Sequence, residues 1–235
     1  MRDTLKDLKH FENRLHFINE SIEEFEQLIA ENLHSENIDL SSGYLTLLGY
    51  YTTKINCLYS MGAPIEYIED TFPKYLELFL KTWDKETGSY VQLLWTVSLG
   101  ILLHTSDLEL HQIENIIKEE SFHDYLIDYL LHQRNKDWEI TTQEVIFSSP
   151  YAMLIDVILE KNKEVAIGKL KNYLEKEWYK GHDDAGWHDS HKSKFNTYSG
   201  YWSYESGAIA KVLQLDDEAL KNVPYYPYDL VHYRN

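Results

Sequence analysis

Apolar side chains recur at spacings of three and four along most of this chain, and no alternating apolar run is bounded by hairpin turns. Leu5, Leu8, Phe11, Leu15, Ile18, Ile22, Phe25 and Leu28 form the first such stripe, with Lys6, Glu12, Glu20, Glu23, Glu24 and Glu31 between them. On an α-helix this spacing gathers the apolar groups on one face, whereas a strand would need a period of two. The pattern therefore predicts an all-α protein whose first helix runs roughly from Asp3 to Asn32.

The same reading continues downstream. Ser41 and Ser42 can cap a second helix that runs to Met61 and stops at Gly62. Pro64 suits the first turn of a third, and Pro73 inside it predicts a kink or a break. Ser89 to His104 is the most apolar stretch and is expected to be the central core helix. Further helices are expected after Asp107, from about Phe122 to Gln133, from Tyr151 to Lys161, from Lys163 to Tyr179 and from Trp202 to Leu213. Residues 181–200 read as a long ordered loop. The sum is a globular array of about eight or nine helices joined by short connections.

Charge narrows the function. Asp plus Glu is 39 against 22 Lys plus Arg, a formal net charge of −17. Such a surface repels nucleic-acid backbones and anionic membranes and speeds encounter with basic partners. With hydrophobic residues at 43%, the chain still has material for a core, which separates it from a disordered acidic segment. Cys57 is alone and cannot form an internal disulfide, so a reducing, cytoplasmic setting is expected, with Cys57 as a small core residue. The polar start Met1-Arg2-Asp3-Thr4 lacks a signal-peptide pattern, and no window is apolar enough for a membrane span.

Chemistry has weaker signals. His182-Asp183-Asp184-Ala185-Gly186-Trp187-His188-Asp189-Ser190-His191 is dense in metal-ligand types, yet its spacing matches no zinc pattern. A metal-dependent hydrolase built on this loop is the alternative reading, and an acidic helical scaffold for another basic protein is a third. No G-x-S-x-G elbow or phosphate-binding glycine loop is present, so neither a catalytic residue, a metal nor a cofactor is expected.

The C-terminal segment is more specific. Tyr198-Ser199-Gly200-Tyr201-Trp202-Ser203-Tyr204-Glu205-Ser206-Gly207-Ala208 precedes Asp216-Asp217 and Tyr225-Tyr226-Pro227-Tyr228-Asp229-Leu230. This pattern resembles the PoNi family of immunity proteins, which act against PoNe-type DNase toxins of bacterial polymorphic toxin systems. Leu58-Tyr59-Ser60-Met61-Gly62 is similar to the N-terminal module of that family. The resemblance implies a helical, non-catalytic inhibitor of two tightly packed modules, residues 1–120 and 121–235, that binds a cognate nuclease toxin in the cytoplasm, and the acidity of the chain predicts that this toxin is basic. The apolar faces of the long helices leave a homodimer open.

Gly200, Tyr201, Trp202, Glu205, Tyr226, Pro227 and Asp229 read physically as scaffold: a turn, aromatic anchors and a first-turn carboxylate facing the positive helix end. The toxin-contacting set is expected beside them, on Asp183, Asp184, Trp187, Asp189 and the turn Asp216, Asp217 and Glu218.

Overall fold

The computed structural model describes residues 1–35 and 37–234. It is all-helical, with no strand among the described residues. The helices are α1 (Leu8–Asn32), α2 (Ser41–Met61), α3 (Ile65–Thr82), α4 (Tyr90–Leu102), α5 (Asp107–Glu119), α6 (Tyr125–Arg134), α7 (Ser148–Ile158), α8 (Lys163–Asn172), α9 (Tyr204–Val212) and α10 (Tyr228–Val231). None of them is long and apolar enough to cross a membrane. The chain forms two compact units, Met1–Asp84 with Asp189–Tyr201, and Lys85–His188 with Trp202–Asn235.

In the first unit α2 packs against both α1 and α3. Helix α1 starts later than its apolar stripe suggests. Asp3 is buried and its Oδ1 accepts from the Leu5 and Lys6 backbone N–H groups, closing a separate turn, while Asp7 caps α1 by accepting from the His10 N–H. Leu5, Leu8 and Leu28 are exposed, and Phe11, Ile18, Ile22 and Ile29 carry the burial. Leu40, without a side-chain cap, occupies the position expected of Ser41 or Ser42. Gly62 ends α2 as expected, at φ 84°. A Cβ there would stand 2.6 Å from the Met1 backbone nitrogen, so both conformation and space exclude a larger residue. Helix α3 is not broken at Pro73, because that residue lies on the exposed face, where a missing N–H costs least.

In the second unit α4 is the central element, packing against α6 and α9. Only Val91 and Gln92 of its residues escape burial. Ser89 caps it, and Ser106, rather than Asp107, caps α5 through a reciprocal box with Glu109. Asp124 caps α6 from a buried position. Its Oδ1 accepts from the Leu126 and Ile127 N–H groups and the Tyr90 hydroxyl, and its Oδ2 from the Ile146 N–H. Beyond α8 the helix widens into a π-helical stretch, Tyr173–Trp178, then tightens into a 3₁₀ turn at Lys180–His182. Gly181 sits against Pro150, where a Cβ would come within 2.7 Å of the ring.

Candidate functional site

The acidic turns of the second unit are built on an aromatic base. The π-helical stretch presents Tyr173 and Trp178 inward, both with 0% exposure. The Trp178 ring stacks on Trp187 at 5.5 Å and lies 4.8 Å from Tyr225, and Trp187 also stacks on Trp95 at 6.2 Å. Tyr225 stacks in turn on Tyr179, and Tyr179 on His188. The run links residues 178–188 with the Tyr-rich tail. Trp187 is thus half-buried within the stack, and a contact role for it is limited to its exposed edge.

Asp183 and Asp184 follow the 3₁₀ turn and are exposed. Asp216 and Glu218 are exposed between α9 and α10, and Glu218 accepts from the Tyr228 hydroxyl at 2.6 Å. That bond, with Lys221 nearby, holds the Glu218 carboxyl below its usual range. Asp189 belongs to the first unit, where it pairs with Lys192 at 2.9 Å.

Asp217 departs from expectation. Although expected among the exposed acids, it is buried, and it accepts from the Tyr226 hydroxyl and from His232 Nε2 at 2.8 Å. It holds the C-terminal tail and is not available to a partner. The acids Asp216-Asp217-Glu218 are consecutive in sequence, and only packing distinguishes the middle one.

The scaffold motif divides between the units. Gly200 adopts φ 117°. The Tyr201 hydroxyl accepts from the His191 N–H at 3.2 Å and bonds His191 Nδ1 at 2.9 Å, so Tyr201 fixes the 189–193 segment of its own unit in addition to its place before α9. Trp202 is buried. Glu205 is wholly buried, and its Oε1 accepts from the Tyr173 hydroxyl at 2.9 Å, Trp178 Nε1 at 2.6 Å and the Ser203 hydroxyl at 2.7 Å. The carboxylate therefore clamps the π-helical stretch to α9, a larger role than facing the helix end. Pro227 packs against Gly207, where a Cβ would approach its Cγ to 2.6 Å. Asp229 is exposed in the first turn of α10.

The histidines of the 182–191 loop are held individually. His182 is buried, with Nδ1 donating to the Trp178 carbonyl and Nε2 accepting from the Tyr151 hydroxyl at 2.7 Å. Both ring nitrogens are thus occupied. Among the described residues no group of three or more His, Cys, Asp or Glu side chains converges to hold a metal. Cys57 is fully buried and burial pushes its thiol up to about 12, the condition of an inert core thiol.

Sequence reasoning missed Asp124 and Asp128 as structural acids. Asp128 accepts from Trp138 Nε1 and from the N–H and hydroxyl of Thr141. The signal for Asp124 was legible, since Asp directly before an apolar run is an N-cap pattern.

What fold and surface define is an all-helical protein that presents acidic turns on a rigid aromatic base. Residues 2–115 match the family described as PoNe immunity protein (PoNi), N-terminal, and residues 122–230 match PoNe immunity proteins (PoNi), C-terminal. The chain belongs to the PoNe immunity protein family. No curated protein matches it. Among solved structures it is similar to the crystal structure of protein PA2201 from Pseudomonas aeruginosa, with a TM-score of 0.76, 17% identity and coverage of 99% of this chain and 89% of that one. At that identity the likeness speaks for the fold. The family halves and the compact units divide the chain differently: residues 85–115 fall in the N-terminal match but the second unit.

Proposed function

We propose that this protein binds a cognate PoNe-type nuclease toxin in the bacterial cytoplasm and neutralises it by occupation, without chemistry of its own. The observation that carries the reading is the match to both halves of the immunity family across the chain. The net charge of −17 supports a basic partner, because a DNA-acting nuclease carries a cationic groove. Asp183, Asp184, Asp216 and Glu218 are the exposed acids offered to it, with Asp189 on the other unit. Their contribution falls mainly on the rate of encounter, and an exposed edge of Trp187 would add desolvated contact.

The test mixes purified protein with the toxin encoded beside it. A one-to-one complex in gel filtration and protection of DNA from cleavage are expected. Replacing Asp183, Asp184 and Asp216 by Asn and Glu218 by Gln should slow association by about tenfold at low salt and flatten its salt dependence. Absence of both complex and protection refutes the function. An intact complex whose association ignores salt refutes the assignment of these acids alone.

A further inference from the structure

The first unit carries a pocket whose character opposes that of the chain. It has a volume of about 200 Å³ and is lined by Lys6, His10, Ser190, Ser193, Lys194 and Asn196, with Tyr198 and Phe195 alongside. Three basic side chains and no carboxylate line it, in a chain where acids outnumber Lys and Arg by 39 to 22. Three acids near it in sequence are committed elsewhere. Asp3 takes the Tyr198 hydroxyl and two backbone N–H groups, Asp7 caps α1, and Asp189 pairs with Lys192. Neither the Lys6 nor the Lys194 ammonium has a carboxylate within ion-pair distance among the described residues; Lys194 rests over the Phe195 ring at 5.2 Å.

One wall is fixed in advance. His10 Nε2 donates to the Tyr198 carbonyl at 2.9 Å, which sets the ring, and the buried Tyr198 is tied to Asp3. Ser193 Oγ accepts from the Phe195 N–H at 3.1 Å, which leaves its own hydroxyl proton to donate into the pocket. Asn196 adds an amide. Two ammonium point charges with hydroxyl and amide donors arranged around a concavity suit a tetrahedral oxyanion. A planar carboxylate would instead favour the fork of an arginine, which the pocket lacks.

From this juxtaposition we infer that the Lys6–His10–Lys194 pocket is a binding site for phosphate, either as the free ion or as a terminal phosphate monoester. The pocket shares no lining residue with the acids assigned to the toxin, of which Asp189 directly precedes Ser190 in its wall. An anion seated there would neutralise two unpaired ammonium groups and tie the 190–196 segment to the start of the chain, both parts of one unit. At about 200 Å³ the pocket accommodates a phosphate group, and the rest of a nucleotide would lie outside.

The intact 235-residue chain is titrated with inorganic phosphate at ionic strength held constant with sodium chloride, following the amide and imidazole resonances. Saturable shifts at His10, Ser193 and Asn196 with a Kd of about 1 mM or tighter are expected. The Lys6→Ala/Lys194→Ala variant, confirmed folded by circular dichroism, should weaken this by about tenfold or more, as befits the loss of two charge-assisted bonds. Adenosine 5′-monophosphate compared with inorganic phosphate separates the sources. Tighter binding of the nucleotide, with adenosine inert, identifies a monoester, and equal or weaker binding identifies the free ion. A response that does not saturate, that survives in the double variant, or that acetate reproduces equally overturns the inference. None of these results bears on toxin binding, which is read by the complex itself.

Discussion

Removing the Glu205 carboxylate tests the packing of the second unit at a buried acceptor shared by three donors. In Glu205→Ala the Tyr173 hydroxyl, Trp178 Nε1 and the Ser203 hydroxyl all lose their acceptor, and all three residues have 0% exposure. A buried donor left without a partner costs about 1–3 kcal/mol, so three sum to about 3–9 kcal/mol. Two effects pull the total toward the lower part of that range: a charge no longer has to be kept out of water, and donors sharing one acceptor are not additive. A net loss of about 3–5 kcal/mol follows, the range for breaking a buried charged network. For a chain of this size each kcal/mol shifts Tm by about 2–4 °C, so a drop of about 10 °C is expected. Glu205→Gln keeps one acceptor oxygen and should cost only about 1–2 kcal/mol. Urea unfolding followed by far-ultraviolet circular dichroism measures both. A Glu205→Ala loss within about 1 kcal/mol of wild type would refute the reasoning, because it would mean that the three donors find other acceptors without strain.

Two further outcomes follow from the same geometry. Gly207→Ala should destabilise by about 1–3 kcal/mol through overpacking against Pro227 and Val231, whereas Gly186→Ala, with open space around its Cβ, should change little on steric grounds; chemical denaturation of the two variants compares them. Burial raises the phenol pKa of Tyr90, Tyr151 and Tyr173, and raises that of Tyr129 to about 12. Because the folded values exceed the unfolded one near 10, their contribution to stability is complete below about pH 10 and is lost as pH rises through the folded values. Phenolate absorbance should therefore lag behind that of free tyrosine and rise together with loss of helical signal; early titration of all tyrosines in a still-folded protein would contradict their burial.

The periodicity of apolar residues and the placement of Gly62 were enough to determine the all-α class, the C-terminal end of α2 and the central place of α4 in the second unit. Those properties follow from local sequence: spacing selects the buried face, Gly62 ends a helix because of its own backbone freedom, and an uninterrupted apolar segment has nowhere to go but inside. The motif from Tyr198 to Leu230 likewise marked the family, because its residues are consecutive or nearly so. The fate of individual acids was not legible in this way. With 39 Asp and Glu residues, nothing local separates the buried Asp217 from its exposed neighbours Asp216 and Glu218. Its burial is decided by Tyr226 and His232, and that of Glu205 by Tyr173 and Trp178, 32 and 27 positions away. Tyr201 shows the same limit from the other side, since it stands next to α9 in sequence yet bonds the 189–193 segment. Helix formation is a short-range property and could be read from spacing. Which carboxylate meets a buried donor depends on residues brought together from distant parts of the chain, and only the tertiary structure decides that.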